Sequence, residues 1–160
     1  MIVFLDVDGV IATTKSYKEQ DDMLDRDCIE VLNLLTDALD AKIVVSSTWR
    51  CEGYRNIQKK LNGAGVRAEI IGITPRLINE PEEGSVIHVA EGRGNEILKW
   101  IKDNNYEGEY LVLDDEISDI KNAIPADNIL HIKDGWFKGA LTHDILENFF
   151  NKDNQWLKIR

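Results

Sequence analysis

Two apolar rhythms alternate along the chain. Ile2-Val3-Phe4-Leu5, Lys42-Ile43-Val44-Val45 and Tyr110-Leu111-Val112-Leu113 are short, nearly continuous apolar runs rich in strand formers. Such runs predict buried strands. A further strand is expected within 66–73, centred on Ala68-Glu69-Ile70-Ile71, and a fifth at Asn128-Ile129-Leu130-His131-Ile132. Between the runs, apolar residues recur at three- and four-residue steps, which is the signature of amphipathic helices. Over 25–40 they are Ile29, Leu32, Leu35 and Leu39, and over 95–103 they are Ile97, Leu98 and Ile101. Ser46-Ser47-Thr48 supply capping hydroxyls for a helix from near Trp49 to Leu61, stopped by Gly63 and Gly65. A short helix is expected at 118–123, and Thr142 should cap a last one reaching Phe150. Residues 74–92, with Pro75, Pro81, Gly84 and Gly92, keep no period and read as a long loop.

Near-continuous apolar strands separated by helices predict an α/β fold, a parallel sheet covered by helices on both faces. Ligands of such sheets bind beyond the carboxyl ends of the strands. Asp6, Ser46 and Asp114 each follow a different apolar strand. The fold therefore gathers them at one edge.

The chain's 160 residues suit one domain over 1–160, large enough to bury roughly two thirds of its unfolded surface. With 43% hydrophobic and 30% charged residues, its composition is that of a globular protein. No apolar run approaches the ~20 residues of a membrane helix, and Met1 to Leu5 lacks a basic flank, so a cytoplasmic protein is expected. Cys28 and Cys51 fit neither a disulfide framework nor a zinc site. Nineteen Lys+Arg against 29 Asp+Glu leave a net charge of −10, which disfavours broad nucleic-acid binding but not recognition of a single phosphate.

The acids at the strand ends define the chemistry. A carboxylate attacks a phosphate monoester only when held in line and when the repulsion between the two anions is neutralised, usually by a divalent metal. Asp6 is the candidate nucleophile, and Asp8, two residues on, the candidate proton donor and acceptor. Asp6, Asp8, Asp114 and Asp115 form an all-oxygen set suited to Mg²⁺ rather than zinc. Ser46, with Ser47 as its substitute, and a cation, Arg93 or Lys99, are candidates to hold the phosphoryl oxygens. Against these stand plainer roles: a turn for Asp114-Asp115, a helix cap for Ser46, an exposed arginine between glycines for Arg93. His88, His131 and His143 are scattered, and Trp49, Trp100, Trp136 and Trp156 are expected to pack rather than react.

These residues carry a resemblance. Phe4-Leu5-Asp6-Val7-Asp8-Gly9-Val10 resembles the first motif of the haloacid dehalogenase superfamily, Val44-Val45-Ser46 its second, and Leu111-Val112-Leu113-Asp114-Asp115 its fourth. Arg93 fits the basic third motif by position, Lys99 less well. Ser46-Ser47-Thr48-Trp49-Arg50 and Gly139-Ala140-Leu141-Thr142 are similar to the branch grouped with RNA-repair proteins. The resemblance implies a three-layer Rossmann-like sheet and an aspartyl-phosphate mechanism with Asp6 as nucleophile. It also implies Asp8 as acid/base and backbone-carbonyl metal ligand, Ser46 and Arg93 as phosphate holders, and Asp114 and Asp115 as metal-site acids. The usual cap has room only for a flap at 11–24 and a short lid at 74–92, so an open site is expected. Its substrate would be a phosphorylated small molecule or a phosphorylated nucleic-acid end. The alternative is a catalytically silent phosphate-binding or regulatory module of the same fold.

Overall fold

A computed structural model describes residues 1–78 and 91–152. Most of the expected lid, and Trp156, lie outside them. Five strands form one all-parallel sheet: β1 (Ile2–Leu5), β2 (Lys42–Val45), β3 (Ile70–Ile73), β4 (Tyr110–Asp114) and β5 (Ile129–His131), in the order β3-β2-β1-β4-β5. β1 is central, with Leu5 level with Val45 on one side and Leu113 on the other. Alternation of side chains along a strand then builds two cores. Val3, Leu5, Ile43, Val45, Leu111 and Leu113 face one side, packing with helices α2 (Arg26–Ala38), α3 (Tyr54–Gly63) and α6 (His143–Lys152). Ile2, Phe4, Val44 and Val112 face the other, against Ile97 and Trp100 of α4 (Arg93–Asp103) and against Ile120 and Ile124. The result is a three-layer α/β fold.

The expected helices form where their apolar faces meet these cores, with local corrections. Asp25 caps α2 by accepting from the backbone N–H groups of Asp27 and Cys28, and Thr142 caps α6 through Ile145 N–H. The helix expected from Trp49 to Leu61 is two pieces, a 3-10 turn at Thr48–Glu52 and then α3. Gly53, at φ 87°, breaks it in a conformation that a side chain would oppose. Segment 118–123 is a run of turns rather than a helix, because Ile117 and Ile120 carbonyls each take two short-range N–H groups and no ladder propagates.

Two one-turn helices escape the periodicity reading: α1 (Ser16–Glu19) and α5 (Gly135–Lys138). α1 makes the 11–24 flap an ordered structure. Thr13 and Ser16 exchange hydrogen bonds, Ser16 Oγ donates to Met23 O, and Thr13 Oγ1 donates to Asp25, so the flap's base is pinned to the start of α2. Cys28 is buried, Cys51 exposed, and both are free thiols. Among the described residues no helix is long and apolar enough to cross a membrane.

Candidate active site

Register delivers the site. Beyond the last paired residues of β1, Asp6 N–H donates to Leu113 O and Ser46 N–H donates to Leu5 O, so the strand tips stay laced together where the polar residues begin. Asp6, Asp114 and Asp115 each offer one carboxylate oxygen within 4.8 Å of the others. Asp6 is 4% exposed and Asp114 fully buried. After Asp6 the chain turns sharply, with Ile11 and Ala12 N–H donating to Val7 O. Gly9 makes that turn at φ 74°, and a Cβ there would lie 2.1 Å from Asp115 Oδ2. Only glycine gives the Asp115 carboxylate its space.

Three clustered acids need a counter-charge, and Arg93 supplies one. Its Nη1 lies 3.2 Å from Asp6 Oδ2 and also bonds Asp114 Oδ2. Arg93 opens α4, whose amino end is held by the Asp119 carboxylate on Arg93 N–H at 2.9 Å. Lys99 is elsewhere: it pairs with Asp103 one turn along the exposed face of α4. Burial pushes the Asp6 carboxyl above the usual range against the pull of Arg93. Burial and then the Asp6 charge push Asp114 up to about 7, again opposed by Arg93. Asp115 is raised by the same two causes. Burial works against the Arg93 charge, but Asp6 and Asp114 outweigh it and hold its proton more tightly than usual.

The two serines part company. The Ser47 hydroxyl accepts from Trp49 N–H at 3.3 Å and lies near enough to Asp6 to favour its carboxylate form. The Ser46 hydroxyl is enclosed and has no hydrogen-bond partner among the described residues. Asp8 stands apart from the three clustered carboxylates. Its Oδ1 accepts from Tyr17 Oη at 2.8 Å, and both its oxygens accept from Trp49 Nε1, at 3.2 and 3.1 Å. Tyr17 was hidden in the flap sequence, and Trp49, expected to pack, is a donor; no periodicity marks a hydrogen bond across 41 residues.

A buried brace, also unmarked in the sequence, supports the serines. Arg50 donates to the carbonyls of Ser46 and Ser47 and pairs with Glu96 of α4 at 2.5 Å, both side chains under 10% exposed. Glu96 in turn accepts from Leu77 N–H. Beside Arg93 a cavity of about 300 Å³ opens, lined in part by Arg50, Arg76, Glu96 and Asp119. A cavity of about 720 Å³ lies at the amino ends of the strands, near Met1 and Lys42, the wrong end of a parallel sheet for this chemistry.

The donor set fits a hard divalent cation. It consists of carboxylate oxygens, three acids share one guanidinium, and all three are raised by burial, Asp114 and Asp115 also by the Asp6 charge. Asp6, Asp114 and Asp115 would hold the ion by their side chains.

A search of curated proteins and a search of solved structures each returned no match. The family model for the HAD domain in Swiss Army Knife RNA repair proteins matches residues 2–134, from the first residue of β1 to the residue before α5, and so spans every strand and every acid of the site. The sheet order, the acidic strand tips and this match together make the chain a member of that HAD family, whose fold is that of phosphatase-type hydrolases.

Proposed function

We propose that the chain is a Mg²⁺-dependent phosphomonoester hydrolase with Asp6 as nucleophile and Asp8 as general acid and base. One observation supports this most: the Asp6 carboxylate that borders Asp114 and Asp115 also pairs with Arg93. A group bonded to Asp6 therefore lies beside a cation and two further acids. Mg²⁺, when bound, supplies charge neutralisation that lets two anions approach.

In the first step an Asp6 oxygen forms a bond to phosphorus as the bond to the leaving oxygen breaks, and Asp8 gives that oxygen its proton. Water then attacks phosphorus, its proton passes to Asp8, and the Asp6–phosphorus link opens to release inorganic phosphate. Arg93 and Ser47 stabilise charge on the non-bridging oxygens. Ser47 joins Ser46 as a serine we place at the phosphoryl group, because its hydroxyl lies near enough to Asp6 to favour the carboxylate. The Arg50–Glu96 pair fixes the backbone that carries it.

The substrate is a phosphorylated small molecule or a phosphorylated nucleic-acid end. The net charge of −10 favours recognition of one phosphate over general polyanion binding, and two free thiols with no membrane helix among the described residues suit a cytoplasmic enzyme. The test is phosphate release from p-nitrophenyl phosphate, nucleotides and 3′- or 5′-phosphorylated oligonucleotides with Mg²⁺. Turnover that disappears with chelator and with Asp6→Asn is expected. Folded protein with no turnover across that panel contradicts the proposal.

A further inference from the structure

Asp8 is held by two side chains from two different elements. Tyr17 comes from α1 of the flap, and Trp49 from the 3-10 turn after β2. The Trp49 indole is itself fixed, with Lys60 Nζ 4.2 Å over its ring and its own backbone N–H bonded to Ser47. Tyr17 rests edge-on against Trp136 at 4.9 Å between ring centroids, and its base is pinned by the Thr13–Ser16–Met23 bonds. Neither donor is free to drift.

Resting on the phosphatase reading above, we propose that Tyr17 and Trp49 are positioning residues for Asp8, and that they decide which of its oxygens carries the transferable proton. Oδ1 accepts both the Tyr17 hydroxyl and the indole N–H, so its lone pairs are taken. Among the described residues Oδ2 accepts only the shared indole N–H at 3.1 Å and keeps a lone pair for a proton. Oδ2 therefore gives its proton to the leaving oxygen and recovers one from the attacking water. Because Tyr17 belongs to the flap, the flap's seat on the site and the aim of the acid are one and the same.

General-acid help matters most for a poor leaving group. The experiment compares an alkyl phosphate with p-nitrophenyl phosphate, at saturating Mg²⁺, in the wild type, Tyr17→Phe, Trp49→Phe and Asp8→Ala. Tyr17→Phe keeps the ring that packs on Trp136, and circular dichroism checks the fold of each variant. Expected is a fall in kcat/KM, which reports the step that expels the leaving group, about tenfold larger on the alkyl ester than on the aryl ester in both positioning variants, and a larger loss of the same sense in Asp8→Ala. Equal losses on both esters, or none, overturn the positioning role while leaving the phosphatase reading intact. No turnover by the wild type of either ester or of the nucleotide and oligonucleotide panel overturns that reading and this role with it. A second readout needs no substrate: the Trp49 indole N–H resonance, assigned from Trp49→Phe, should shift in Asp8→Ala. An unmoved resonance shows that the contact is absent and overturns the inference.

Discussion

Gly9 is the residue on which the acid cluster closes. Its positive φ costs any L side chain about 1–2 kcal/mol, and a Cβ would also collide with the Asp115 carboxylate. Gly9→Ala should displace Asp115 by the better part of an ångström, a misplacement that lowers kcat/KM by about 100-fold. Steady-state kinetics, with circular dichroism to show a retained fold, measures this. A variant with wild-type activity would mean that Asp115 has no fixed place in the site. Asp114 carries the pH dependence. Its folded pKa, about 7, lies above the ordinary value of 3.8, so the folded state binds the proton more tightly than the unfolded one. The metal-free protein then loses stability as pH rises from about 4 through about 7, and Asp6 and Asp115, raised in the same direction, add to the slope. Divalent ions compete with those protons, so Mg²⁺ should raise Tm more at about pH 8 than at about pH 5. Asp114→Asn should flatten both trends, and thermal melts in chelator and in Mg²⁺ read them.

Among the elements, the link between the loop after β2 and α4 depends on a buried ion pair. Removing one partner of such a pair leaves an uncompensated charge and costs about 3–5 kcal/mol. Arg50→Met should therefore destabilise the fold by about that amount in urea titrations, since Glu96 stays 4% exposed with its cation gone. Arg50→Met with Glu96→Leu should recover part of the loss but not all, because the carbonyls of Ser46 and Ser47 and the Leu77 N–H would lose their partners. A double variant no better than the single one would show that the pair is not what couples these segments. The same scale shows what a sequence conveys. β1, β2 and β4 are legible because strands buried on both faces must be continuously apolar, and their acidic ends are legible because the polar residues start where the apolar run stops. α1 and α5 are invisible because four residues give no period. The turns at 118–123 mislead because a single turn and a helix share the same short-range spacing. Asp8's partners could not be read at all, since Tyr17 and Trp49 reach it through tertiary approach rather than through any spacing along the chain.

For the molecule as a whole, the fold explains how so acidic a chain gathers its carboxylates at one edge of the sheet. The sheet places three of its acids at the tips of β1 and β4, brings one arginine from α4 to them, and buries them enough that protons or a divalent ion must offset their repulsion. The central claim is that Asp6 accepts a phosphoryl group beside a bound metal, and beryllofluoride, which adds to a carboxylate as a phosphoryl mimic, tests it without any knowledge of the substrate. The measurement is ¹⁹F NMR of the full chain with beryllofluoride, with and without Mg²⁺, in the wild type and in Asp6→Asn. A bound fluoride signal that requires Mg²⁺ and vanishes in Asp6→Asn is the expected result. A folded wild-type protein with no bound signal, or a signal that survives in Asp6→Asn, would contradict it.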